Sequence, residues 1–318
     1  MISGLLLTAI YIVMISIIIC SVSRDELLTV SENIRKTIGV PHEIIAFDNN
    51  KLQKGICEIY NMGARQAKYD MLCFMHEDIE MQTVGWGEKL VELFDKHPRL
   101  GLLGVAGGGY KSLVPSGWYN ADLELNGEFY CCLVQGFKHS GIEEYLDYRN
   151  PRNEQLSKVA AIDGCWMCTK KKIALKYTFD ETMLKGFHGY DIDFSMAVGQ
   201  QYDVAVTYEI LLRHFSEGSF SGEWENETLK IHEKWSARLP VNTDGLPEKS
   251  LLRYERRAFK AYHHKQIDQG TSYRQLMGII WNSRKSWIFG GWKWYKLYVD
   301  LWRVRKNQKK EGRDQSRS

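Results

Sequence analysis

Absences narrow this sequence first. No charge of one sign dominates: 42 lysines and arginines face 39 aspartates and glutamates, a net charge of +3. That is too mild to argue for a nucleic-acid partner. Long apolar runs are scarce. The exception is residues 5–20, interrupted only by Thr8, Tyr11 and Ser16. Such a run admits a membrane span or a signal peptide. It has no lysine or arginine ahead of it, and no small-residue cleavage pattern stands out. The preferred reading is therefore a buried strand over residues 14–20, preceded by an apolar extension over residues 1–13 from an upstream start codon. The seven cysteines lie mostly inside apolar runs (Cys73, Cys131, Cys132, Cys165, Cys168). This reads as buried thiols in a reducing compartment, not as a disulfide framework or a zinc site. What remains is ordinary globular composition, 44% hydrophobic and 25% charged over 318 residues. It suffices for one large domain or a domain with an appendage.

The most informative stretch is residues 69–80. Met71 to Met75 is short and apolar enough for a buried strand. It ends in His76, Glu77, Asp78 and Glu80, which places charge at the strand's carboxyl end. Open α/β sheets bind ligands at that edge. Carboxylate and imidazole groups there can hold a divalent metal against a phosphate-bearing substrate. A solvated loop following a strand is the alternative.

Upstream, the pattern predicts a strand at 14–20, a helix over 25–38 capped by Ser23 or Asp25, and a strand at 42–47 that stops at Asp48-Asn49-Asn50. A helix over 55–68 then leads into the 71–75 strand. Alternating strands and helices predict a parallel sheet with right-handed crossovers. Downstream come a helix over 86–97, a strand over 100–106 ending in Gly107-Gly108-Gly109, and a polar segment, 110–126, suited to a flexible lid or acceptor loop. A strand over 129–137 and an irregular connection over 143–155 follow.

In the strand pattern of 158–169, Asp163-Gly164 interrupts an apolar run. A buried acid needs a partner, and a substrate hydroxyl and a loop amide are equal candidates. Asp191 and Asp193 open a helix after a glycine-flanked turn containing His188. The helix dipole favours acids there, but one cap suffices, and the second acid suggests a general base. A strand over 203–212 leads to His214, which is weak alone because a lone histidine is usually structural.

The last third predicts a helix over 221–235, a loop over 240–247 and a basic helix over 249–265. Residues 281–305 interleave Trp281, Trp287, Phe289, Trp292, Trp294, Tyr295, Tyr298 and Trp302 with Arg284, Lys285, Lys293, Lys296, Arg303 and Arg305. That suits a membrane interface. A helical appendage packing its aromatics inward is weighed equally. From Lys306 the tail reads as disordered. The expected organisation is an extension (1–13), a catalytic domain (14–240), a helical basic and aromatic region (241–305) and a tail (306–318).

Taken in order, Cys20-Ser21-Val22-Ser23-Arg24, Asp48, Tyr60-Asn61-Met62-Gly63, His76-Glu77-Asp78-Ile79, Asp163-Gly164, the turn from His188 to Asp193, and His214-Phe215-Ser216 resemble a known family. It is that of the GT-A-fold, family-two-type nucleotide-sugar glycosyltransferases, especially the StrF-like branch, over residues 15–234. The resemblance implies an α/β, Rossmann-like, mostly parallel central sheet flanked by helices, with a helical C-terminal extension. It implies that Cys20, Ser21, Ser23, Arg24 and Asp48 hold the nucleoside, Asp48 accepting from a uracil-type base edge, with Asn61 beside the pocket. Asp163, Gly164, Trp166 and Tyr190 would approach the donor or acceptor sugar. Asp191 matches the catalytic base. Asp78 would bind a divalent metal, Mn2+ or Mg2+, with His214 completing the shell. His76 stands where many members carry a carboxylate, which shifts the preference toward manganese.

The implied activity is transfer of a hexosyl group from a UDP-type nucleotide sugar to a saccharide or lipid-linked acceptor, with inversion, in surface polysaccharide or glycoconjugate synthesis. The implied place is the cytoplasm, including peripheral contact with the cytoplasmic membrane face, and no nucleic-acid partner is implied. The competing reading is a catalytically impaired nucleotide-sugar-binding or scaffold protein, for which the altered His76 is the best support.

Overall fold

The computed structural model describes residues 14–119, 129–138, 140–216 and 222–315, with side chains through residue 308. The expected 1–13 extension and residues 120–126 of the expected lid lie outside them. Strand β1 (Ile15–Ser21) is buried at every position. Helix α1 (Arg24–Thr37) follows, capped by the Ser23 hydroxyl, which accepts from the Glu26 amide. Then come β2 (His42–Asp48), a single turn α2 (Asn49–Leu52), α3 (Ile56–Gln66) and β3 (Met71–Met75). β1 lies between β2 and β3 and runs parallel to both.

The chain continues through β4 (Ile79–Met81), α4 (Trp86–Lys96), β5 (Leu100–Gly104), β6 (Ala106–Gly108), β7 (Tyr110–Lys111), β8 (Phe129–Gly136) and β9 (Tyr145–Arg149). Next are β10 (Leu156–Lys158), β11 (Ala161–Ile162), β12 (Trp166–Lys170), α5 (Lys171–Lys176), α6 (Tyr190–Val198), β13 (Asp203–Thr207) and β14 (Leu212–Phe215). The last elements are α7 (Gly222–Trp235), β15 (Val241–Asn242), α8 (Glu248–Asp268), α9 (Tyr273–Ser283) and α10 (Tyr295–Gln315).

Seven strands form the central sheet, in the order β10-β13-β5-β12-β3-β1-β2. β12 runs antiparallel to both neighbours, and β10 runs antiparallel to β13. The sheet is therefore mostly parallel, as expected, with β13, β5, β3, β1 and β2 running one way and β12 reversed in its middle. The reason is the route by which β12 arrives. β11 runs antiparallel to β6, which follows β5 almost without a break, and β12 follows β11 after only three residues, Asp163 to Cys165, to pair antiparallel with β5.

A second sheet, β11-β6-β8-β14-β4 with β9 on the flank of β8, explains why several predicted strands were too long. The runs 100–106, 158–169 and 203–212 each divide between the two sheets, as β5 and β6, β10 to β12, and β13 and β14. β5 and β6, and likewise β11 and β12, are buried alike, so hydrophobicity does not mark the break between them. The connection 143–155, expected to be irregular, contains β9. The glycines at 107–109 serve packing: Gly107 and Gly108 lie in β6, and a Cβ at Gly109 would collide with the Asp244 carboxylate.

Alternation along the strands gives the central sheet two buried faces. Ile18, Leu72 and Phe74 face a core shared with α3, α5 and α6. Ile17, Ile19, Cys73 and Met75 face a core closed by α1 and α4. All seven cysteines are free and buried.

Residues 110–116 are buried, which corrects the lid expectation for that part of the segment. They are pinned by Glu255 of α8. Its buried carboxylate accepts from the Tyr110 hydroxyl (2.5 Å), the Ser112 hydroxyl (3.1 Å) and the Leu113 amide (3.1 Å). α10 packs on α8 through a bidentate pair, Arg256 to Asp300, at 2.8 and 2.9 Å. It runs as helix to Gln315, through the stretch after Lys306 that was expected to be disordered. No helix among the described residues is long and apolar enough to cross a membrane.

Replacing Glu255 with alanine orphans three buried donors. At ~1–3 kcal/mol for each unsatisfied group, partly relieved by relaxation, the variant should lose about 3 kcal/mol of stability. A urea unfolding midpoint equal to that of the parent would show that this pin does not hold α8 in place.

Candidate active site

The site forms where strand ends meet. β3 stops at Met75, and the His76 amide donates to the Cys165 carbonyl at 2.9 Å. The next side chain, Glu77, accepts from the amides of Val22 (2.9 Å) and Ser23 (3.1 Å), fastening the end of β3 to the end of β1. Its role is to build the site's wall. Asp78 is then presented to β14. The Phe215 amide donates to the Asp78 carbonyl at 2.9 Å, and the β4–β14 pairing sets His214 opposite Ile79. A histidine 136 positions away thereby arrives beside Asp78.

Asp78 Oδ1 lies 3.7 Å from His76 Nδ1 and 3.6 Å from His214 Nε2. It is buried and accepts no hydrogen bond. One ligand atom from each of these residues falls within 4.8 Å of the others. An idle buried carboxylate oxygen between two imidazole nitrogens fits a divalent cation. The second nitrogen of His76, Nε2, lies 2.6 Å from the Tyr190 hydroxyl. With Nδ1 left to ligate, Nε2 carries the proton and donates it to Tyr190, which fixes the ring. Burial, above all, holds the His76 pKa down to about 4, against the pull of Asp78. The ring is neutral at neutral pH, the form that ligates. Two imidazoles and one carboxylate suit Mn2+ better than Mg2+.

Three further acids have distinct surroundings. Asp163 accepts from the Cys165 amide (2.8 Å) and from Trp118 Nε1 (2.9 Å), so both oxygens are engaged. Burial raises its pKa, but His214 and the Cys165 amide outweigh it and hold the carboxyl below its usual range. Asp191 accepts from the Ile192 amide at 2.8 Å. Burial and then the charge of Asp163 push its pKa up to about 7. Asp193 is buried and bound by Lys234 (2.8 Å) and Trp235 Nε1 (2.7 Å), which ties α6 to α7. Neither Asp191 nor Asp193 caps α6, whose N-cap is Gly189.

Cys20, His76, Asp78, Asp163, Gly164, Tyr190, Asp191 and His214 all line one cavity of about 860 Å3. The other expected residues do not. Ser21 is buried and its hydroxyl donates to the Ser23 carbonyl. Ser23 caps α1, and Arg24 is that helix's exposed first residue. Asp48 is exposed and paired with Lys51 at 2.9 Å, and the adjacent Asn49 lines the cavity instead. Asn61 clamps the Phe179 backbone, donating to its carbonyl (2.8 Å) and accepting from its amide (3.0 Å). Trp166 is fully buried edge-on to Trp86, with ring centroids 6.1 Å apart, in the core closed by α1 and α4.

Sequence reasoning missed Glu77 as a clamp, Trp118 as the partner of Asp163, and Lys138. Lys138 Nζ lies 2.7 Å from Glu26 and 3.9 Å from Asp78 Oδ2. It lies two residues past the end of β8, a strand-end position of the kind that singled out Asp78. The cavity also takes Tyr262, Lys265 and Gln266 from α8, so a boundary at residue 240 does not separate the site from the helical region.

Compared with known proteins, the chain matches the glycosyltransferase-like family over residues 16–225. Its sequence finds no match among curated proteins. Among solved structures it is similar to GalNAc-T7 with UDP, GalNAc and Mn2+, at TM-score 0.47 and 13% identity, over 84% of this chain and 56% of that one. It is also similar to S. aureus TarS, at TM-score 0.44 and 12% identity, over 77% of this chain and 43% of that one. The chain thus spans about half the length of either structure.

Mn2+ titrated into the protein should bind at the triad, and Asp78→Ala should weaken it by at least about tenfold, read from the free Mn2+ signal in electron paramagnetic resonance. Equal binding by the variant would remove the triad as the site. A methyl group at Gly164 would collide with the Tyr190 hydroxyl. Gly164→Ala should therefore free His76 and weaken Mn2+ by roughly tenfold in the same titration, as loss of an outer-shell partner does.

Proposed function

Because the chain belongs to the glycosyltransferase-like family, we propose that it moves a hexosyl group from a UDP-type nucleotide sugar to the hydroxyl of a saccharide or lipid-linked acceptor, with inversion. The observation that carries this reading is the meeting of a metal-fitting triad and a carboxylate of raised proton affinity in one cavity. Within the family, the order of the motifs supports the StrF-like branch. Surface polysaccharide or glycoconjugate synthesis is the setting such a donor and acceptor suit, and seven buried free thiols support the cytoplasm as the place.

Asp78, His76 and His214 would hold a divalent cation, whose charge offsets the negative charge that gathers on the departing diphosphate. Lys138, beside Asp78, adds a fixed positive charge on the same side. Cys20 and Asn49 line the cavity and would wall the end that takes the nucleoside. Asp163 is held rigid by Trp118 and the Cys165 amide, so it can orient sugar hydroxyls without losing its place. The acceptor oxygen attacks C1 as the bond from C1 to the phosphate oxygen breaks and its electron pair leaves with the diphosphate. Asp191 takes the acceptor's proton. A base with pKa near the working pH combines an ionised carboxylate with useful proton affinity. Both oxygens of Asp163 are engaged, which leaves Asp191 for the proton and supports a single displacement, hence inversion.

Asp191→Asn should lower transfer by about 10²–10⁴-fold while leaving Mn2+ and UDP affinity within a few-fold. The parent rate should rise with pH through about 7, because the base works only when ionised and is lost as it protonates below that value. Near-parental transfer by the variant, measured as UDP released only when acceptor is present, would overturn the assignment. A binder without turnover would show nucleotide affinity and no transfer in either protein.

A further inference from the structure

The helical C-terminal region does something unusual with its aromatic residues. Phe289 is buried and Trp294 packs partly inside. Trp281, Trp287, Trp292, Tyr295 and Trp302 are exposed, Trp292 by 86% at the turn between α9 and α10. These side chains are not scattered. Trp294 contacts Trp281 at 5.8 Å and Tyr298 at 5.5 Å between ring centroids, and the Tyr298 hydroxyl donates to the Met277 carbonyl at 3.2 Å. The α9–α10 turn and the first turn of α10 thus form one aromatic surface.

Helical spacing extends that surface along α10. Leu297, Asp300, Leu301 and Val304 are its buried stripe. Tyr295, Tyr298, Trp302, Arg305 and Lys306 recur at intervals of three or four on the other side, the side a soluble helix normally keeps polar. The charge on the surface has one sign. From Arg274 to Lys306 the basic residues are Arg274, Arg284, Lys285, Lys293, Lys296, Arg303, Arg305 and Lys306, and the sole acid is Asp300. Asp300 is fully buried and paired with Arg256. Arg284 lies over Trp281 at 4.0 Å and Lys306 over Trp302 at 5.3 Å, so the cations stand beside the indoles.

We propose that this surface docks the protein on an anionic lipid bilayer, with the indoles at headgroup depth and the lysines and arginines against lipid phosphates. Indoles suit the interface because one end of the ring system is apolar and the other donates a hydrogen bond. Basic residues beside them add attraction to a negatively charged leaflet. No described helix is long and apolar enough to span a membrane, and this surface would lie along the interface. α8 links it to the cavity: α10 packs on α8 through Arg256, while Tyr262, Lys265 and Gln266 of α8 line the cavity. A bound bilayer would therefore lie on α10, which packs against the helix that forms part of the cavity wall. The docking itself does not depend on the sugar-transfer reading.

The test is cosedimentation of the full-length protein with vesicles of phosphatidylcholine alone or with about one-third phosphatidylglycerol, a fraction chosen for a clearly negative surface. Binding should appear on the anionic vesicles and fall as salt rises. Two double variants, W292S/W302S and K293E/K296E, should each lower it at least tenfold while keeping parental Mn2+ binding, which shows that the fold and the triad survive. Equal partitioning to both vesicle types, or unchanged binding by both variants, would overturn the proposal. So would tighter binding to a nucleic-acid duplex than to the vesicles. Concentration-dependent self-association lost in W292S/W302S, without vesicle binding, would assign the surface to a second copy of the chain instead.

Discussion

The short antiparallel pairing of β14 with β4 is the contact on which the site depends. It is only three residues long, Leu212 to His214 opposite Ile79 to Met81. Yet it carries His214 to Asp78 across more than a hundred positions of chain, and the Phe215 amide bonded to the Asp78 carbonyl holds the register. Slipping such a ladder by one residue would turn His214 to the other face of the sheet. Neighbouring contacts guard it: Glu77 joins the β3 end to the β1 end, and β14 runs parallel to β8 on its other side.

Around that pairing the protein concentrates negative charge in a half-buried place. Asp78, Asp163 and Asp191 open on one cavity, with His76 kept neutral by burial. Asp163 settles the conflict through hydrogen bonds, Asp191 by holding its proton up to about neutral pH. Asp78 Oδ1 accepts no hydrogen bond and faces the two imidazole nitrogens instead. The three acids are thus sorted by environment, one held by hydrogen bonds, one of raised proton affinity and one beside two histidines with which it could hold a metal ion, the sorting that the proposed base and metal roles require.

Much of the outline was legible. The helices over 24–37, 56–66 and 86–96 fall within a few residues of their apolar periods, and β3 with its charged end was found outright, because period and punctuation are local signals. Asp78, His76, His214, Asp163, Gly164, Tyr190 and Asp191 came from the order of motifs and do share a cavity. Asp48, Asn61 and Trp166 were misplaced for one common reason. A motif places a residue along the chain but not the direction of its side chain, and here a lysine three residues on, a backbone clamp and strand alternation turned them away. The splitting of β5 from β6 and of β11 from β12 was invisible because the strands on either side of each break are buried alike.

The order of amino acids by itself determined the local elements, the acid and histidine types available for chemistry, and the basic, tryptophan-rich character of the last third. Those follow from period, propensity and composition, which need no distant partner. Which acid became free, which became a brace, that residues 110–116 sit locked beneath α8, and that the indoles near the C-terminus face outward were decided only in three dimensions. All but the last are set by the cost of burying an unpaired polar group or charge, and that cost exists only once residues far apart in the chain have closed around it.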